Sequence, residues 1–139
     1  MNINDVSDKE VQIDGDLLEA IFQRQRELME KYHLIEQANE LLISPDVPVN
    51  LDDAKGQQRL KDFAWRITEE LGEAMNCLKN KPWKQTQMLT DKDHYYEELA
   101  DAFHFIIELF ILSGIDAKKL AELYFKKSLV NKFRQRSQY

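Results

Sequence analysis

Apolar residues recur at helical spacing through most of the chain. Leu18, Ile21, Phe22, Leu28, Met29 and Tyr32 form one stripe, Ala64, Ile67, Leu71, Ala74, Met75 and Leu78 a second, and Leu120, Leu123 and Tyr124 open another. Between them, Leu99, Ala100, Phe103, Ile106, Ile107, Phe110 and Ile111 make a segment apolar around most of its circumference, which belongs in a core. No alternating strand pattern competes. The pattern predicts an all-α fold, a helical bundle of four to five helices. The first helix is expected from Asp16 to about Leu42, with a break near His33. The second should open at Asp52 or Asp53 and reach about Lys79. The third should be capped by Thr90 or Asp91 and end at Ser113-Gly114, where a left-handed cap residue fits. Asp116 is placed to cap the last. Residues 1–15 read as a flexible N-terminal arm and 16–139 as a single domain.

Composition narrows the function classes. A chain of 139 residues, 43% hydrophobic and 32% charged, can bury a core of its own. Its net charge of −6 argues against broad binding to nucleic acid, which needs a basic surface. The most apolar run is interrupted by Asp101, His104 and Glu108, so no membrane span is expected. One cysteine, Cys77, cannot form an intramolecular disulfide, and no signal peptide is visible, so a cytoplasmic location is expected. Cys77 reads as inert packing beside the second stripe.

Two acidic pairs change the picture. Glu70 and Glu73 in "EELGE", then Glu98 and Asp101 in "EELAD", share a three-residue spacing, with 24 residues between the pairs. Positions i and i+3 project from one helix face, and antiparallel pairing would gather all four carboxylates. Such a cluster repels itself unless protons or a cation intervene, and hard oxygen ligands suit Mg²⁺ or Mn²⁺. Either pair alone reads as a solvated face; both together favour a metal cage. Glu70, at the stripe edge, should be half-buried.

Polar residues on apolar stripes add candidates. Gln25 falls inside the first stripe, where a carboxamide could satisfy a nucleobase edge or bond a neighbouring helix. The last helix turns from apolar to cationic at Lys127, Asn131 and Arg134. These could bind phosphate oxygens, or the cations could simply favour the helix C-terminus. His104 could orient a carboxylate or be a bonded core histidine, while His33 and His94 read as surface or boundary residues. Trp65, Trp83, Phe103 and Phe110 read as core, although Trp83, in the loop between the acid pairs, could reach a base or sugar.

"EELGE", the gap and "ELAD" are similar to the EExxE…ExxD arrangement of the all-α nucleoside triphosphate pyrophosphohydrolases, the MazG-like superfamily. "ELADAFHFIIELF" followed by "LYFKKSLVNKFRQRSQY" most resembles its dimeric dUTPase and phage dCTP pyrophosphatase branch. That branch often ends in glycine-tyrosine after the RQ, whereas Gln138 precedes Tyr139 here. The resemblance implies Mg²⁺-dependent hydrolysis of a deoxynucleoside triphosphate, dUTP favoured and dCTP next, to the monophosphate and pyrophosphate. It implies metal ligation by Glu70, Glu73, Glu98 and Asp101, and proton acceptance by Glu69, with a second-metal contact as Glu69's rival role. Lys127, Asn131 and Arg134 would hold the triphosphate and Gln25 would read the base. A homodimer or larger homo-oligomer is expected, also because the third helix is too apolar for one short bundle to cover. A pyrophosphohydrolase of other or broad specificity, a non-enzymatic helical interaction protein and a di-metal redox bundle remain open alternatives.

Overall fold

The computed structural model describes residues 2–137, so the Gln138-Tyr139 end and any closure it makes over substrate lie outside the described residues. Four α-helices follow a short 3₁₀ turn at Ile3–Asp5: α1 Leu17–Ala38, α2 Ala54–Asn76, α3 Lys92–Leu112 and α4 Ala117–Arg136. The fold is all-α, a helical bundle without strands among the described residues. None of these helices is long and apolar enough to cross a membrane.

Aspartates set every α-helix start. Asp16 accepts from the amides of Leu18 and Glu19, Asp53 from Lys55, Asp91 from His94 and Asp116 from Lys119. Each satisfies amides that the first helical turn leaves without partners, and each favours the positive end of the helix dipole. Gly114, at φ 81°, ends α3: its N–H donates to Ile111 O, and the Ile115 N–H donates to Phe110 O. This pair of bonds closes the helix in the left-handed manner expected at Ser113-Gly114. Two ends come earlier than the periodicity predicts. α1 runs unbroken past His33 but stops at Ala38, where Glu40 turns left-handed at φ 57° and the Leu41 N–H returns to Glu36 O. α2 stops at Asn76 rather than Lys79, with Cys77 as its cap.

α2 and α3 form the most extensive helix pair, and α1 lies across α3. Phe22 and Met29 of α1, Phe63 of α2, and Ile107, Ile111 and Leu112 of α3 make the core, with Val49 from the loop and Ala117 from α4. The Val49 N–H donates to Leu112 O at 2.8 Å, pinning the α1–α2 loop to the end of α3. The first and second apolar stripes are only partly inward. Ile21 and Tyr32 of α1, Leu71 and Met75 of α2 and Leu78 just past its end are exposed, while Gly56, Arg59, Phe63 and Ala74 make the buried face of α2. The inward face is rotated because Phe63 fills the core, and Arg59, one turn earlier, follows it in. Trp65, Trp83 and Phe103, expected in the core, are exposed; Trp83 stands out at 76% with the Lys81 ammonium 5.8 Å from its ring.

The start of the arm is held. The Ile3 N–H donates to Glu97 Oε1 at 2.6 Å and Asn4 Nδ2 to Asp93 at 3.0 Å, so it docks on the first turns of α3. α4 behaves oppositely. It meets α1 over a short stretch near Ala117, and every described residue from Glu122 onward is exposed, including Leu123, Tyr124, Phe125, Leu129, Val130 and Phe133.

Candidate functional site

The α2–α3 pair brings the two acidic segments together. One carboxylate oxygen from each of Glu70, Glu73 and Glu98 lies within 4.8 Å of the others. Glu70 and Glu98 are half-buried, as expected for Glu70, and Glu73 is exposed. Asp101 is outside this triplet but close enough for its charge to act on Glu70 and Glu73. Glu98 Oε1 contacts His94 Nε2 at 3.0 Å, giving His94 a place beside the cluster that the sequence does not suggest.

Crowding shifts these acids. Burial, then the Glu73 charge, then contacts with Glu98 and Asp101, push Glu70 up to about 7. Glu73 is raised chiefly through its hydrogen bond with Glu98, while Glu98 is lowered by the same contact, followed by His94. Two carboxylates bond to each other only through a proton, so Glu70, Glu73 and Glu98 compete for protons as a group. Asp101 is raised by burial and by Glu98, against a lowering influence of His104. Glu98 Oε2 is buried with no hydrogen-bond donor among the described residues. A proton, a cation or a donor from outside the fold can satisfy it. The donor set is all oxygen and anionic, the set a hard divalent cation takes.

Glu70 and Asp101 also line a cavity of about 530 Å³. Gln25, Leu28, Tyr32 and Glu36 of α1, Arg66 of α2, and His104, Phe105 and Glu108 of α3 complete its wall. Gln25 is buried, at 5% exposure, on the cavity wall. His104 Nδ1 lies 2.8 Å from Ala100 O, so the ring is bonded within its own helix, and the residue is exposed. Behind the wall residue Glu36, Arg59 is 4% exposed, paired with Glu36 at 3.5 Å and bonded to His33. The guanidinium carbons of Arg59 and Arg66 lie 5.6 and 4.6 Å from the Phe63 ring centre.

Not every candidate gathers here. Glu69 is exposed on α2 and is not part of the cavity wall. Lys127, Asn131 and Arg134 lie on the exposed distal part of α4 and also contribute nothing to the wall. Conversely, Glu108, Arg66, Glu36 and Tyr32 enter the site without having been singled out for it. Glu108 lies on the polar stripe of α3, two turns beyond Asp101, and that spacing is the one signal that points to it.

No family model, no curated protein and no solved structure matches the chain.

Proposed function

We propose that the chain is a Mg²⁺-dependent pyrophosphohydrolase of deoxynucleoside triphosphates, dUTP favoured and dCTP next, yielding the monophosphate and pyrophosphate. The observation that carries this reading is the convergence of Glu70, Glu73 and Glu98 beside a cavity lined with both carboxylates and base-sized polar and aromatic groups. The sequence resemblance to the MazG-like all-α pyrophosphohydrolases supports it.

Glu70, Glu73 and Glu98, with Asp101 alongside, would hold Mg²⁺ or Mn²⁺. When bound, the ion offsets charge on the triphosphate and lowers the pKa of a coordinated water. Glu69, next to Glu70 on the solvent side of α2, is assigned the proton of the attacking water. Arg66 brings a guanidinium to the cavity wall, where it can bond phosphate oxygens. Gln25 reads the base from α1.

Lys127, Asn131 and Arg134 are assigned to phosphate in an assembled homodimer. The described surface is 11136 Å², against about 7,600 Å² for a compact monomer of 16.5 kDa. Much of the excess is apolar and lies on α4 and on the Leu71, Met75 and Leu78 side of α2. A second copy of the chain is the occupant assigned to these exposed apolar faces.

The decisive experiment is pyrophosphate release from a panel of deoxy- and ribonucleoside triphosphates, with Mg²⁺ and with excess chelator. Release from dUTP or dCTP with Mg²⁺ alone is expected. Full turnover in chelator, or none with any substrate, would end this reading.

A further inference from the structure

Two largely buried polar side chains face the same cavity without a hydrogen-bond partner among the described residues. Gln25 and Glu108 are each 5% exposed, and each lines the wall. Neither takes part in any of the side-chain hydrogen bonds of the fold, which elsewhere engage Arg59, His33, Glu98 and His94. Glu108 has no cation within ion-pair distance, although Arg59 and Arg66 act on it at longer range. Both residues are largely buried, yet their polar atoms open onto the cavity rather than being sealed in the core, so a ligand seated there can take the hydrogen bonds they otherwise make to water.

Their position says which part of a ligand. Asp101 and Glu108 are seven residues apart on α3, two turns and about 10.5 Å along the axis. A nucleoside sets its base edge and its 5′-phosphate apart by a comparable span. With phosphates at the acidic end, the base comes to Gln25 and Glu108, and Phe105 and Leu28 offer apolar faces to its ring.

We infer that Glu108, acting with Gln25, reads the hydrogen-bonding edge of a pyrimidine base and discriminates uracil from cytosine. This rests on the pyrophosphohydrolase reading above and names the specificity residue of the same site. Gln25 can flip to match either base, because its carboxamide carries a donor and an acceptor side by side. Glu108 cannot flip. A protonated carboxyl donates to a carbonyl oxygen of uracil, whereas a carboxylate accepts from the exocyclic amino group of cytosine. Burial pushes Glu108 up to about 7, against the lowering influence of Arg66 and Arg59 on α2 and with Glu36 on α1 raising it. Asp101 and His104 share its helix and line the same wall. The switch between the two hydrogen-bonding forms therefore falls near neutral pH.

The test compares kcat/KM for dUTP and dCTP between pH 6 and 8 in the wild type and in Glu108→Gln. Groups at the metal end act on both substrates alike and cancel in the ratio. In the wild type the dUTP/dCTP ratio should fall as pH rises, by about tenfold, the worth of one hydrogen bond. In Glu108→Gln, which does not titrate, the ratio should be flat. A ratio that Glu108→Gln leaves unchanged at every pH would overturn the inference, as would equal use of purine and pyrimidine substrates.

Binding of dUMP and dCMP, measured by calorimetry in chelator, separates this inference from the activity it rests on. Binding that Glu108→Gln alters, in a protein that hydrolyses no triphosphate, would retain the base site and discard the proposed reaction. Absence of monophosphate binding in a protein that does hydrolyse dUTP would do the reverse. Glu108→Leu adds a folding readout. It should raise the ligand-free Tm while abolishing discrimination; a lowered Tm would reassign Glu108 to the structural charge network of Arg59 and Arg66.

Discussion

Arg59 Nη2 donates to His33 Nε2 at 2.6 Å, tying α2 to α1 across an otherwise sparse contact between those helices. The bond requires His33 to be neutral, with its proton on Nδ1. Burial, then the Arg59 charge, lower the His33 pKa from 6.5, with Glu36 opposing. For a lowered histidine the unfolded chain takes up the proton first, so stability is complete above pH 6.5 and declines as pH falls through the folded value. Arg59→Ala removes this bond, the Glu36 pair and the packing on Phe63. It should cost about 2–4 kcal/mol, a value below that of a fully enclosed pair because Glu36 can rehydrate. Chemical denaturation of the variant against wild type checks it.

The acidic cluster titrates with the opposite sign. Glu70, Glu73 and Asp101 are raised, so the folded protein binds more protons than the unfolded chain between about 4.5 and 7. Glu98 is lowered and opposes them, one group against three. Stability without metal should therefore fall as pH rises through 7, and Mg²⁺ should restore it most at pH 8. Thermal melts at pH 6 and 8, with and without Mg²⁺, measure this. Glu73→Gln and Asp101→Asn should each abolish turnover and leave the chelator-treated melt unchanged or higher. Unfolding of either variant would make these acids structural.

Two glycines of α2 should respond in opposite ways to alanine. A Cβ at Gly56 would overlap the backbone carbonyl oxygen of Asn50, where the first turn of α2 presses on its own entry loop. Gly56→Ala should cost about 1–3 kcal/mol and lower Tm by several degrees. Gly72 has no atom near its would-be Cβ. Gly72→Ala should gain up to about 1 kcal/mol from helix propensity. Similar melts for both variants would contradict the close approach at Gly56.

Light scattering at micromolar concentration should give twice the chain mass. Charge placed in the apolar part of α4, by Leu129→Glu or Phe133→Glu, should yield a folded monomer, since both side chains are 69% exposed within one chain. If Lys127, Asn131 and Arg134 serve phosphate through the assembly, these monomers lose turnover as well. A monodisperse wild-type monomer with full activity would exclude the dimer.

Local chemistry made much of this fold legible. Asp16, Asp53, Asp91 and Asp116 cap where side chain and amides are two or three residues apart, and Gly114 ends α3 by its own backbone freedom. The grouping of Glu70 and Glu73 with Glu98 was legible for the same reason, because an i, i+3 repeat fixes the face. Which face of α2 turns inward was not. Arg59 is buried among neighbours from α1, and its partners His33 and Glu36 are more than twenty residues away in sequence. Trp65 is large and apolar, so periodicity counts it as core, yet none of the described helices covers it. Glu108 was visible on a polar stripe, but its burial on a cavity wall arises only when α1 and α2 close around it.

The exposure of both tryptophans, Trp65 at 68% and Trp83 at 76%, gives the protein an unusual optical character. Their indole emission should already be that of water-bathed rings in the folded single chain, so denaturant will shift its colour little. A blue shift on raising concentration would instead report contact between copies, and one on adding nucleotide would report the α2–α3 loop settling over it. Intrinsic fluorescence, ordinarily a gauge of folding, is here a gauge of encounter.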